Sequence, residues 1–275
     1  ALRPPLVADA YISIWDAAVR DRGLLGEGRW SDRLLRRFEV RALRSADVVL
    51  VDTTANREWM IAEFGLSPDA VSAIPLAIDD EALLSLPVSG ASTPCGVSFI
   101  GTVVPLHGID VLIDAVKHVQ QPERVAFRFI GDGQDAGKAE LAIAEGTAGF
   151  TWERSWQGHD QIIAALAESD VCLGVFGGSG KAARVLPFKL YLALAAGRAV
   201  VTQQDISLPQ AVPAPPFLTP RPRPAEIATL LLGLSSDPAS CSAAAEAGRR
   251  YYREWLGSRG VLKAWQGVFE RLHAR

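Results

Sequence analysis

Short apolar runs alternate with amphipathic helical patterns along most of this chain, and this alternation is the strongest constraint on its fold. Residues 46–53 (ADVVLVDT), 96–102 (GVSFIGT) and 171–176 (VCLGVF) each indicate a buried strand. Between them, residues 109–119 (IDVLIDAVKHV) place their apolar side chains on one face of a helix. Strands that alternate with helices in this way predict parallel sheets with helical crossovers, and therefore an α/β fold.

A segment rich in proline, glycine and serine divides the chain into two α/β units. We predict a partial first unit over 1–86, a linker over 87–96 and a second unit over 97–255. A terminal helix over 256–275 completes the scheme, and a return of this helix to the first unit is one option. The chain starts with Ala1 and enters a strand-like run within four residues, so we expect the first unit to lack its opening strands.

The composition argues against several classes of function. The net charge of −3 gives no global attraction to nucleic acid, so no nucleic-acid partner is expected. No apolar run reaches the roughly 18 residues of a membrane span. The three cysteines fit no metal spacing, and their odd number argues against a disulfide framework. We therefore predict a reducing, cytoplasmic location.

Residues 99–108 (FIGTVVPLHG) place a loop with glycines between the end of a strand and the start of a helix. In open parallel sheets, ligands bind at the carboxyl ends of strands, and a helix N-terminus at that edge favours an anion. We predict that Gly101 and Gly108 let the backbone approach a phosphate, to which His107 donates a hydrogen bond. The alternative is an ordinary turn with a surface histidine.

A basic loop follows the strand over 171–176. Its sequence, GGSGKAARVLPFK, places Lys181, Arg184 and Lys189 within nine residues. A diphosphate would offset the mutual repulsion of these cations, although no P-loop motif is present. The alternative is a solvated basic loop.

Two weaker signals follow the next strands. The turn FIGDGQ carries Gly131 and Asp132 after a strand, a pattern equally typical of an ordinary tight turn. Trp152 and Trp156 flank a short polar stretch, where they line a base pocket in one interpretation and pack into the core in the other.

The helix predicted over 29–45 (RWSDRLLRRFEVRALRS) is rich in arginine. Helices with an apolar side and a basic side can lie on anionic membranes. The preferred interpretation is a helix that packs on a sheet and turns a basic face outward, because Asp32 and Glu39 dilute its charge.

Four of these blocks, in order and spacing, resemble the retaining, nucleotide-sugar-dependent glycosyltransferases of family 4. FIGTVVPLHG is similar to the family's "VGRLVPEKG", and the helix IDVLIDAV and the strand ending in GDG follow as they do there. KAARVLPFKLYLALAAGRAVVT is similar to "KAxRVIPNKVYEALAxGxPVIT". The resemblance implies a GT-B fold, with one complete Rossmann-like donor domain and the latter part of an N-terminal Rossmann-like domain.

The resemblance also implies a role for each site residue. Lys181, Arg184 and Lys189 would act as catalytic cations that stabilise the leaving diphosphate. The implied donor-binding residues are Gly101, Thr102, His107, Gly108, Gly131, Asp132 and Leu192. No cofactor or metal is expected besides the nucleotide-diphosphate-sugar substrate. The expected acceptor is a glycan or a lipid-linked molecule, with membrane contact at the inner face as a further option.

One departure from the family pattern bears directly on activity. Leu192 stands where the family carries a ribose-binding Glu, and Thr102, His107 and Phe188 also replace more usual residues. Loss of a charge-assisted contact costs roughly 1.5–3 kcal/mol, which weakens donor binding about 10- to 150-fold.

The departure at Leu192 keeps a second class of function open. In that alternative, the chain is a degenerate domain that binds a nucleotide or a partner protein without catalysis. A weaker option is a sugar-phosphate isomerase or epimerase, which would need a general base that the sequence does not identify.

Overall fold

Two parallel β-sheets organise the computed structural model of the chain. The structure describes residues 4–90, 92–137, 140, 149–178 and 180–273, so Ser179 of the basic loop lies outside the described residues. Every strand pair in both sheets is parallel, and helices connect the strands. The predicted α/β class is therefore confirmed.

The first sheet has three strands in the order β1-β2-β3. They are β1 (Val7–Asp9), β2 (Val48–Val51) and β3 (Val71–Ala73). Every residue of the central strand β2 is buried, as is typical of an apolar run covered on both faces. The predicted strand over 70–78 is wrong in its second half, because Pro75 has no amide hydrogen for the ladder.

The first unit of the chain also forms three helices and a π-helical turn. They are the turn Asp16–Asp21, α1 (Trp30–Ser45), α2 (Thr54–Phe64) and α3 (Glu81–Ser85). Helix α2 begins where the Thr53 side chain accepts a hydrogen bond from the Asn56 amide. It ends at Gly65, whose left-handed φ of 61° confirms the predicted glycine stop.

The second sheet has five strands in the order β6-β5-β4-β7-β8. They are β4 (Cys95–Ile100), β5 (Val125–Ile130), β6 (Phe150–Glu153), β7 (Val171–Leu173) and β8 (Ala199–Val201). The chain runs outward from β4 to β6 and then returns to the other side of β4. This reversal places the topological switch point at the carboxyl ends of β4 and β7, where ligands of such sheets bind.

Helices cover the second sheet, and their apolar faces form two core clusters with it. The α-helices after β4 whose full length lies in the described residues are α4 (Ile109–His118), α5 (His159–Ala167), α6 (Lys181–Arg184), α7 (Phe188–Ala195), α8 (Pro224–Ser236), α9 (Pro238–Tyr251) and α10 (Ser258–His273). The predicted inner face of α4 is confirmed by the burial of Ile109, Leu112, Ile113 and Val116. Helix α4 therefore starts directly above the carboxyl edge of β4.

The last helix crosses back to the first sheet. Val268 of α10 is fully buried against Val48, Leu50 and Ile74. On the same helix, the Arg271 guanidinium donates to the Ser72 hydroxyl at 2.5 Å. Both contacts tie the end of the chain to the first sheet and so fix the two sheets on either side of a crevice.

Candidate functional site

Three loops pack backbone against backbone at the carboxyl edge of the second sheet. A Cβ on Gly131 would lie 2.1 Å from the carbonyl oxygen of Gly101. A Cβ on Gly108 would lie 2.4 Å from the carbonyl carbon of Phe176. Both glycines also have left-handed φ values, of 131° and 64°. These glycines are therefore required by contacts between the loops themselves, whatever ligand the loops hold.

His107 holds the first of these loops together. Its Nδ1 bonds the carbonyl oxygen of Thr102, and its ring packs edge-on against Phe99 with 5.6 Å between centroids. Burial and then the nearby Lys189 ammonium hold the pKa of His107 well below its usual range. A neutral ring that donates from Nδ1 has a lone pair at Nε2. The sequence predicts that His107 donates a hydrogen bond to a phosphate. To do so from Nε2, the ring would have to bind a second proton there.

Lys189 lies on the inner side of the same turn. Its Nζ sits 3.6 Å above the centroid of the Phe99 ring, and a Cβ on Gly101 would lie 2.8 Å from that nitrogen. The Nζ is buried and has no hydrogen-bond partner among the described residues. Burial holds the pKa of Lys189 well below its ordinary value. The site thus contains a basic nitrogen without a described hydrogen-bond partner or counter-charge, and its burial favours the neutral amine.

Leu192 shares a small cavity with Lys189. The cavity has a volume of about 10 Å³. It is lined by Ser98, Ile100, Leu166, Cys172, Leu173, Lys189 and Leu192. Leu192 is buried, so the position that the family gives to a carboxylate is here part of an apolar wall.

Lys181 and Arg184 lie in a separate crevice of about 480 Å³ between the two sheets. The Lys181 ammonium is 3.1 Å from the Asp21 carboxylate, and the Arg184 guanidinium is 3.0 Å from the Asp16 carboxylate. All four side chains are mostly buried. Two carboxylates of the first unit therefore neutralise Lys181 and Arg184, a pairing that the sequence did not predict.

The crevice contains further residues that the sequence did not single out. The Arg184 guanidinium stacks 4.1 Å from the centroid of the Trp59 ring, and Arg20 also lines the space. Asp16, Arg20 and Asp21 are brought together by the π-helical turn, a rare element that often marks functional sites. No pattern in the sequence distinguishes this turn from ordinary helix.

The predicted cations therefore fall into two groups beside one turn. Pro105 and Leu106 line the crevice with Lys181 and Arg184, while His107 of the same turn lies beside Lys189. The turn over 105–107 therefore lies next to both Lys189 and the pair Lys181 and Arg184, but the three cations do not form one cluster.

The remaining predicted residues lie at the outer side of the edge. The Asp132 carboxylate accepts from Arg154 at 2.8 Å, and the Trp152 indole donates to the Gly131 carbonyl at 2.9 Å. Trp152 also packs against the core of the second sheet, whereas Trp156 is 78% exposed. The core-packing interpretation therefore fits Trp152 and is wrong for Trp156.

The described part of the chain lacks both a metal-binding cluster and a membrane-spanning helix. No group of three or more His, Cys, Asp or Glu side chains is placed to hold a metal ion. No described helix is long and apolar enough to cross a bilayer.

Two parallel α/β sheets that face each other across a crevice define a GT-B fold, as the sequence predicted. The family described as "Glycosyl transferases group 1" matches residues 94–237, just over half of the chain. The chain belongs to this family.

Individual relatives agree with this assignment. An MMP alpha-(1->4)-mannosyltransferase of Mycolicibacterium hassiacum is 25% identical over 98% of this chain. A TarM mutant of S. aureus, solved with Fondaparinux, alpha-GlcNAc-glycerol and UDP, has a TM-score of 0.66 at 16% identity over 89% of this chain. HepE of Anabaena, solved with UDP-glucose, has a TM-score of 0.69 at 17% identity over 98% of this chain.

The chain is shorter than these relatives. It spans 66% of the mannosyltransferase, 48% of the TarM chain and 72% of the HepE chain. At this level of identity, the two solved structures establish the fold.

The close packing of the loops predicts the cost of a single methyl group. We expect Gly131→Ala to destabilise the protein by roughly 2–5 kcal/mol, from left-handed strain and overpacking together. The control is Gly178→Ala, which also has a positive φ, of 78°, but no atom within 4 Å of the added Cβ. Urea unfolding measures both variants, and equal losses would show that the loop contact contributes nothing.

Proposed function

We propose that the chain transfers a sugar from a nucleotide-diphosphate-sugar to a glycan or lipid-linked acceptor, with retention at the anomeric carbon. The observation that carries this proposal is the side-chain nitrogen of Lys189, buried without a described hydrogen-bond partner beside the Gly101 loop. Burial makes the charged form of this amine costly, and an anionic oxygen in the same space would stabilise the ammonium. Support comes from the relatives whose structures contain UDP or UDP-glucose.

The geometry suggests how the chain would assist departure of the diphosphate. Negative charge develops on the leaving group, and fixed positive groups at the sheet edge stabilise it. Lys189 lies at this edge, and the N-terminus of α4 adds its partial positive charge after Gly108. Lys181 and Arg184 would contribute only after exchanging carboxylate partners for phosphate oxygens.

The first test removes the buried ammonium. We expect Lys189→Met to weaken binding of the preferred nucleotide sugar roughly 10- to 150-fold, because one charge-assisted contact is lost. Calorimetric titration with UDP-glucose, UDP-N-acetylglucosamine and GDP-mannose measures the effect. The control is Lys263→Met, which removes the same charge from an exposed position on α10. If the unmodified protein binds none of the three, the donor site does not exist in this form.

Binding should also take up a proton. The pKa of Lys189 is depressed in the free protein, and the negative charge of a diphosphate would raise it. Between these two pKa values, the complex holds more protons than the free protein, so affinity falls as pH rises through that window. Titrations in Tris and HEPES, which differ in ionisation enthalpy, measure the uptake. His107 also has a depressed pKa, so proton uptake that persists in Lys189→Met would belong to His107 and would contradict the assignment to the lysine.

A further test asks whether phosphate competes with the carboxylates of the crevice. Asp21→Asn frees Lys181 and removes a negative charge beside the donor, so we expect donor binding to tighten about fivefold. The control is Glu27→Gln, which makes the same charge change at an exposed carboxylate that lies 3.8 Å from Arg20. Weaker binding of Asp21→Asn would mean that the ion pair supports the site and does not compete with the donor.

The apolar wall at Leu192 favours one alternative, a degenerate domain that binds without catalysis. Leu192→Glu discriminates between the two functions, with Leu192→Gln as the uncharged control of similar size. In a site that is otherwise complete, the Glu variant binds donor at least tenfold tighter than the Gln variant. Release of free nucleotide in the presence of an acceptor is the accompanying assay. Tight donor binding without release of nucleotide in any variant would establish that the domain is degenerate and does not catalyse transfer.

Several expectations from the sequence remain predictions. They are the cytoplasmic location, transfer without a metal, and the identity of the catalytic cations. The tests above address the third directly, and release of free nucleotide in the presence of acceptor and EDTA addresses the second.

A further inference from the structure

The outer face of α1 exposes a row of large apolar side chains. Trp30 is 78% exposed, Leu34 42% and Phe38 62%. These residues are four positions apart, so they lie in one line along the helix. The preferred interpretation from the sequence, an apolar side packed inward, is therefore wrong for these three. Of the residues on that side, Leu43 is buried and Leu35 is partly buried.

A row of arginines runs beside the apolar row. Arg33, Arg37 and Arg41 follow the same four-residue spacing and are exposed. No carboxylate among the described residues forms a salt bridge with them. By contrast, Arg36 pairs with Glu63 at 3.1 Å, and Arg44 donates to the Phe64 carbonyl at 3.0 Å. The arginines of α1 thus divide into an inner set with structural contacts and an outer set that faces solvent.

The two acidic residues of α1 are also committed to inward contacts. Asp32 is buried and accepts from the Trp15 indole and the Gly28 amide. Glu39 accepts from the amides of Ile14 and Trp15 at 3.0 and 2.7 Å. These acids therefore form no salt bridge with the outer arginines, although their charge still acts on that face, as the coupling of Asp32 to Arg33 shows.

The segment held by Glu39 adds to the apolar surface. Ile14 is 65% exposed beside the helix, and Ile12 is 68% exposed two residues earlier. The result is a surface made of aromatic and aliphatic side chains next to unpaired guanidinium groups.

We propose that this face, formed by Trp30, Leu34 and Phe38 with Arg33, Arg37 and Arg41, binds the surface of an anionic phospholipid bilayer. Apolar side chains enter the boundary between headgroups and acyl chains, while guanidinium groups pair with lipid phosphates. Charge complementarity favours lipid over a second copy of the chain, because a symmetric contact would bring two arginine rows together. This proposal goes beyond sugar transfer, and its test does not measure transfer.

Co-sedimentation with vesicles tests the proposal. We expect binding to vesicles of phosphatidylcholine with 30–40% phosphatidylglycerol (roughly the range in which surface charge dominates) and little binding to phosphatidylcholine alone. A variant with Arg33→Gln, Arg37→Gln and Arg41→Gln should bind anionic vesicles on the order of 100-fold more weakly. A variant with Trp30→Ser, Leu34→Ser and Phe38→Ser should also lose binding to the anionic vesicles.

The matched control removes apolar surface elsewhere. Leu262 and Phe269 of α10 are 64% and 51% exposed, and Leu262→Ser with Phe269→Ser should leave vesicle binding unchanged. Circular dichroism checks that each variant is folded. If the variant of the apolar row does not fold, the variant of the three exposed arginines still tests the proposal.

Three results would overturn the proposal. The first is absence of binding to anionic vesicles. The second is an equal loss of vesicle binding in the control variant with Leu262→Ser and Phe269→Ser. The third is a dimer in size-exclusion chromatography that the Trp30, Leu34 and Phe38 variant dissociates, because the occupant of the face is then a second copy.

Discussion

The close approach of loop backbones at the carboxyl edge of the second sheet is the constraint on which the site depends. Gly131 and Gly108 allow main-chain atoms of neighbouring loops to touch where any Cβ would clash. This packing fixes the turn over 105–107, which in turn positions His107 and the loop above Lys189. The site is therefore built first by steric fit between loops, and its charges are added to a frame that the glycines make possible.

The charges on this frame are in two different electrostatic states. Lys181 and Arg184 are neutralised by Asp16 and Asp21 across the crevice, so they also bind the two units to each other. Lys189 has no such partner and lies in a space from which solvent is excluded. An anion would gain most at Lys189, since the other two cations must first give up a carboxylate.

Much of the fold followed from the sequence because it depends on local pattern. The apolar periodicity of α4, the glycine stop after α2 and the runs that form β2 and β4 each encode their structure within a few residues. The family resemblance then ordered these elements and indicated the residues of the site. The π-helical turn over 16–21 was missed, because its hydrogen bonds differ from those of an ordinary helix without a distinct composition.

The sequence by itself determined the α/β alternation, the glycine loops and which residues carry positive charge. Only the tertiary structure decided which of those charges have partners, because Asp16 and Asp21 are more than 150 positions from Arg184 and Lys181 in the chain. It also decided that Asp32 and Glu39 turn inward while Trp30 and Phe38 remain outside. Charge and hydrophobicity are properties of residues, whereas pairing and exposure depend on what the fold places beside them.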